Sequence, residues 1–237
     1  MMIQLHFIQL EILKKLLFSE GLHFSDLRPS EQIENNLLQF HLESLLKHQL
    51  VEKQGNIYSL TQFGKEYANR MDTEQTRIKM QGKISMCQCC IRTTKNGNEF
   101  LIYTRKKHPF FNSQGFPAGK VELGETTIAA AERELFEETA LKGKAELFML
   151  EHHLVHGLEK NELLEDKYFY FYRFQNPTGK LKPNNEGLFA WIKEADLTTY
   201  ITKPFDGIER ILYIVKRIKE IESPLTYEEL SYRTGNF

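Results

Sequence analysis

Apolar residues recur at helical spacing from the start of the chain. Leu5, Ile8, Ile12, Leu13, Leu16 and Leu17 form one stripe, which predicts an amphipathic helix closed by Gly21. Pro29 breaks the pattern, and Ser30 with Glu34 is placed to open another helix, whose stripe is Ile33, Leu37, Phe40, Leu45 and Leu46. Residues 50–61 then read as two short strands around Gly55-Asn56, and a last helix is expected over about 61–71. The order expected for this part is helix–helix–helix–hairpin–helix. Residues 73–82 are polar and nearly free of large apolar side chains, so they are expected to link domains over 1–72 and 83–237.

From Lys83 the period changes to that of strands. Segments 84–94 and 99–106 flank Lys95-Asn96-Gly97-Asn98, a hairpin signal. A run of helix formers covers 127–139, with Thr126 or Thr127 as N-cap. Further strands are expected at 147–155, 167–174 and 188–192, the last holding the only tryptophan, Trp191. Helix 204–221 closes the pattern, with Ile208, Ile211, Leu212, Val215 and Ile218 on its buried side. Strands mixed with two helices indicate an α/β domain.

Composition narrows the class of partner. The 237 residues are 41% hydrophobic and 27% charged with a net charge of −1, so no global basic field draws the chain to nucleic acid or anionic lipid. No unbroken apolar run is long enough to span a membrane, and Glu11, Lys14 and Lys15 interrupt the apolar N-terminus, so no signal peptide is expected. Residues 1–72 hold seven Lys and Arg against nine Asp and Glu. The helix expected over 31–48 has three Glu and one Lys, a poor footprint for phosphates. Cys87, Cys89 and Cys90 are too close together to bridge easily and lack further ligands at zinc spacing. Buried free thiols on a strand are expected, which places the chain in a reducing cytoplasm.

The chemistry concentrates in residues 119–141, GKVELGETTIAAAERELFEETAL. Glu134, Glu137 and Glu138 stand at i, i+3 and i+4, within an arc of about 100° on one helix face. Their mutual repulsion calls for a counter-charge, and oxygen-only ligands suit Mg²⁺ or Mn²⁺. The stretch resembles the Nudix box, Gly-x5-Glu-x7-Arg-Glu-aliphatic-x-Glu-Glu-x-Gly-aliphatic. Gly119, Glu125, Arg133, Glu134, Leu135, Glu137, Glu138 and Leu141 match it, and Ala140 stands where the pattern has its last glycine.

That resemblance implies a Nudix fold, an α/β/α sandwich around a mixed sheet, over about 150 residues. It also implies a metal-dependent hydrolase that cleaves the pyrophosphate bond of a nucleoside diphosphate linked to another group X. By similarity, Glu137 and Glu138 are the principal metal ligands, with Glu134 and the carbonyl of Gly119 completing the site. Glu134 is the first candidate for general base, Arg133 orients a carboxylate, and Glu125 supports the loop or reaches an additional metal. Glu186, before the Trp191 strand, is a further candidate, to bind metal or to act as base. Arg105 and Lys120 are the expected substrate contacts. Phe110, Phe111 and Phe116 either stack on a base or pack in the core, and His152, His153 and His156 are read as structural. A left-handed backbone at Ala140 would cost on the order of 1 kcal/mol. Of the family's subclass signals, the proline of ADP-ribose hydrolases is replaced by His156, the tyrosine of dinucleoside polyphosphate hydrolases is missing from 157–159, and no coenzyme A signature precedes the box.

The first 72 residues resemble, more loosely, a winged helix-turn-helix domain, carried by LLKHQLVEKQGNIYSLTQFGKEYA. An alternative function follows: a transcriptional regulator whose winged helix binds DNA while the Nudix domain senses a nucleotide. The enzyme reading is preferred, with a homodimer as a further partner and DNA the less favoured one.

Overall fold

The computed structural model describes residues 5–157, 160–182, 185 and 187–220. The chain folds into two compact units, with the boundary between Gln81 and Gly82.

In the first unit, α1 (Phe7–Leu17) begins with a reciprocal cap: Ile8 donates to His6 Nδ1 at 3.2 Å, and the His6 amide donates to Gln9 Oε1 at 2.7 Å. It ends at Leu17, before the expected Gly21. Gly21 instead allows a close approach to the sheet, since a Cβ there would stand 2.5 Å from Ile57 Cγ2. β1 (Leu22–His23) follows, and then turns reach as far as α2 (Asn35–Lys47). Two helices, not three, therefore precede the hairpin of β2 (Val51–Gln54) and β3 (Ile57–Leu60). The turn-rich stretch around Pro29 carries too few consecutive apolar anchors for another helix. α3 (Gln62–Asn69) is capped by Thr61, whose Oγ1 accepts from the Gly64 amide at 2.9 Å. The three strands form an antiparallel sheet in the order β1-β3-β2, packed on Ile12, Leu13, Leu38, Leu42 and Leu45. β4 (Met71–Asp72) pairs with β5 (Arg77–Ile78), which lies in the stretch read as a linker, and Met71 and Ile78 both add to this core.

The second unit is built on β6 (Lys83–Thr94), β7 (Gly97–Arg105), β8 (Gln114–Gly115) and β9 (Ala118–Lys120), then α4 (Thr127–Thr139). β10 (Glu146–His156), β11 (Leu163–Gln175), β12 (Gly187–Lys193), a short α5 (Leu197–Tyr200) and α6 (Ile208–Lys219) complete it. The sheet runs β10-β11-β6-β7-β12, with β9 also on β6 and β8 also on β7; β6 and β11 are parallel and the other pairs antiparallel. Central β6 is buried on both faces, which explains its unbroken run from Ser85 to Ile91. Its odd residues Cys87, Cys89 and Ile91 join Phe171, Ile211, Ile214 and Val215 under α6. Its even residues Met86 and Cys90 join Ala130, Ala131, Leu135 and Tyr172 under α4. Two helical layers thus cover a mixed sheet. All three cysteines are buried and unbridged. The sheet places the N-terminal half of β6, strand β9 and helix α4 around one cleft.

Candidate active site

α4 is fixed at both ends by its own sequence. Thr126 Oγ1 accepts from the Ala129 amide at 3.2 Å, and Thr127 Oγ1 meets the Tyr172 hydroxyl at 2.7 Å, tying the first turn to β11. At the C-terminus Ala140 takes a left-handed conformation, φ 59° and ψ 16°, so alanine bears the strain expected where the box pattern has glycine.

Arg133 is the hub of the acidic face. Its Nε and Nη2 donate to the two oxygens of Glu125 at 2.8 and 2.9 Å, a bidentate pair. Nη1 donates to Glu137 at 2.9 Å and lies 3.2 Å from Glu134, while Nη2 also reaches the Lys120 carbonyl at 3.2 Å. The guanidinium therefore joins helix, preceding loop and β9. It holds the Glu125 carboxyl below the usual carboxylate range, and these carboxylates in turn push the guanidinium's own pKa up.

Glu134 lies against the backbone of β9. Its Oε1 accepts from the Lys120 amide at 3.3 Å, and a Cβ on Gly119 would stand 2.4 Å from Glu134 Cδ. A side chain at 119 would push this carboxylate away from the strand. Glu138 behaves differently. Burial first, and then the neighbouring Glu134, push its carboxyl up to about 7, against the opposing pull of Lys107 and Arg105.

A cleft of about 1050 Å³ opens beside these groups. Gly119, Lys120, Glu134 and Glu138 line one end; Arg105, Lys107 and Tyr103 line the β7 side. Phe169, Phe205 and Asp206 are further along, where burial raises the Asp206 carboxyl although it stays open to the cleft. The sequence-expected residues thus divide. Glu134, Glu138, Gly119, Lys120 and Arg105 face the cleft, whereas Arg133, Glu125 and Glu137 form the brace behind it. Glu137 is turned to Arg133, and among the described residues no three acidic, His or Cys side chains converge on one point. Glu186 lies outside the described residues.

Arg105 spends donors on the loop it precedes, with Nε to the Pro109 carbonyl at 2.6 Å and Nη2 to the His108 carbonyl at 3.4 Å. Lys106 is taken by Asn112 Oδ1 at 2.8 Å. Cleft-lining cations missed by sequence reasoning are Lys83, Lys167 and, nearest the acidic end, Lys107, whose pKa burial and Arg105 lower. Three adjacent cations, Arg105-Lys106-Lys107, announce such a group without saying which one turns inward. Phe116 is buried in the core and, like Phe110, lines the cleft, while Phe111 is exposed. His152 and His153 have separate partners, Asp166 and Glu151, at 2.9 and 2.8 Å.

A mixed sheet is thus covered by a helical layer on each face, and one arginine braces the acidic face of α4. The NUDIX domain family model matches residues 87–212, just over half of the chain. The chain belongs to the Nudix family. It is 32% identical over 87 residues to an ADP-ribose pyrophosphatase of Methanocaldococcus jannaschii, covering 37% of this chain and 52% of that protein. The chain thus spans about half the length of the curated relative it matches. Among solved structures, the NUDIX domain of Shewanella oneidensis NrtR complexed with ADP ribose is similar in fold, with a TM-score of 0.50 and 16% identity, covering 67% of this chain and 99% of that one. A MutT NUDIX hydrolase from Burkholderia pseudomallei matches at a TM-score of 0.46 and 19% identity, over 59% of this chain and 99% of that one.

Proposed function

We propose that the chain is a pyrophosphohydrolase that uses Mg²⁺ or Mn²⁺ to split a nucleoside diphosphate linked to another group. The observation that carries this reading is the approach of Glu134 to Gly119 beside Glu138, whose carboxyl burial and Glu134 push up to about 7. Oxygen donors crowded together at the end of a cleft fit a hard divalent cation, which would relieve their mutual repulsion. Glu134, Glu138 and the Gly119 carbonyl would hold it, joined by Glu137 once released from Arg133. Such a cation supplies charge neutralisation to the diphosphate and acidifies water at the reacting phosphorus.

The chain's own groups do the rest. Arg133 keeps α4 and the loop before it in register, so the carboxylates sit on a rigid support. Lys107, Arg105 and Lys120 offer positive charge to non-bridging phosphate oxygens along the cleft. Glu134 is the group we assign to take the proton of the attacking water. ADP-ribose is the first compound to test, given the relative named for it; His156, in place of the subclass proline, makes other nucleoside diphosphate conjugates part of the same panel. Purified protein with Mg²⁺ should release a nucleoside monophosphate from at least one member. Glu137→Gln and Glu138→Gln should each abolish release, and turnover unchanged in both would refute the assignment.

For the first unit we propose a winged-helix-like role without DNA. Its sheet of β1-β3-β2 with flanking helices supports the likeness, while α2 exposes Gln39, Phe40, Glu43 and Lys47 rather than a basic face.

A further inference from the structure

β10 is the outer strand of the large sheet. It pairs with β11 on one side, and among the described residues no named strand pairs with its other side. Its eleven residues, ELFMLEHHLVH, contain no Pro or Lys, two common guards of an open edge, and its charges are Glu146 at its start and Glu151. The ladder to β11 is regular from Met149 to Val155, with irregularities only outside that stretch. On the face shared with α4, beyond the helix's cover, Leu150 and Leu154 are 46% and 51% exposed. They flank His152, which stacks on exposed Tyr168 at 4.2 Å, and Ile84 lies next across the sheet at 50% exposure.

The regular stretch reads nearly the same in both directions from His152. Leu150 mirrors Leu154, Met149 mirrors Val155, and acidic Glu151 mirrors His153. Pairing the strand with its own copy about a two-fold axis normal to the sheet must centre on a residue, so that each side chain faces one on the same side. Centred on Glu151, it would set Leu150 against His152; centred on His153, it would set Glu151 against Val155. Centred on His152, it sets leucine against leucine and carboxylate against imidazole, each twice.

We propose that two copies of this chain associate through antiparallel pairing of β10 about His152, joining their sheets into one. The contact is isologous and closes on itself, so the open edge yields a dimer rather than a fibre. The second copy's Glu151 then lies beside His153, a residue lining the cleft, and adds a carboxylate to the cleft's far margin. This inference does not depend on the hydrolase reading.

The test is sedimentation of the full chain. The wild type should have twice the monomer mass of 27.9 kDa. Leu150→Lys and Leu154→Glu, both at exposed positions, should each give the monomer mass by placing a charge against leucine. Combining the two substitutions sets opposite charges across the axis and should restore the dimer. A monomeric wild type, single variants that remain dimeric, or a double variant that stays monomeric would each overturn the proposal.

Discussion

Glu138 links stability to chemistry in a way that can be measured. Its carboxyl sits at about 7 in the folded protein, against 4.5 for an ordinary glutamate, because burial and Glu134 disfavour the charge. Between those two values the folded state binds more protons than the unfolded one, so stability falls as pH rises through the window and levels off above about 7. A shift of this size corresponds to an upper limit of roughly 3 kcal/mol, and partial exposure reduces it to about 1–2 kcal/mol. Glu138→Gln removes the titration. In EDTA at pH 8 the variant should therefore be more stable than wild type by about that amount, and the gap should close at pH 4.5. Urea unfolding followed by the fluorescence of Trp191, which lies in β12, reports on the relevant unit. Saturating Mg²⁺ should reverse the order: a ligand at a hundred times its dissociation constant adds about 2.7 kcal/mol to the protein that binds it. A variant no more stable than wild type at pH 8 in EDTA would refute the account of Glu138. A variant stabilised by Mg²⁺ as much as wild type would refute its role as a ligand.

Three other outcomes follow from particular contacts. Arg133→Lys keeps the charge but loses the bidentate hold on Glu125, so it should cost about 2 kcal/mol in urea unfolding and lower kcat as α4 and its loop lose register. Ala140→Gly should stabilise by about 0.5–1 kcal/mol, since relief of the left-handed strain exceeds the added chain entropy; an unchanged or lower midpoint would count against that backbone conformation. Gln88 is fully buried in β6, and neither of its side-chain polar atoms is hydrogen-bonded among the described residues, so Gln88→Met should raise the thermal midpoint, by about 1 kcal/mol in stability.

Legibility from sequence followed the range of the interaction. α4 was readable to the residue, because a threonine cap, a run of helix formers and three carboxylates at i, i+3 and i+4 are all local signals. Strands β6, β7, β10, β11 and β12 were readable as segments for the same reason, whereas β8 and β9, two and three residues long, carry too little periodicity to be read. The helix expected near Glu31 begins later, at Asn35, because tertiary packing of Leu38, Leu42 and Leu45 outweighed the Ser30 signal.

The sequence by itself determined the family and the acidic helix face, since both rest on residue types at short fixed spacings. Only the tertiary structure decided which charges face the cleft. Glu125 and Glu137 are drawn to Arg133 while Glu134 meets Gly119 from another strand, and Lys107 rather than Lys106 turns toward Glu138. Likewise, the mirrored residues of β10 gain meaning only once sheet order puts that strand at the edge. Periodicity along a chain records local geometry; the pairing of distant segments, which selects among chemically equal neighbours, is set by packing.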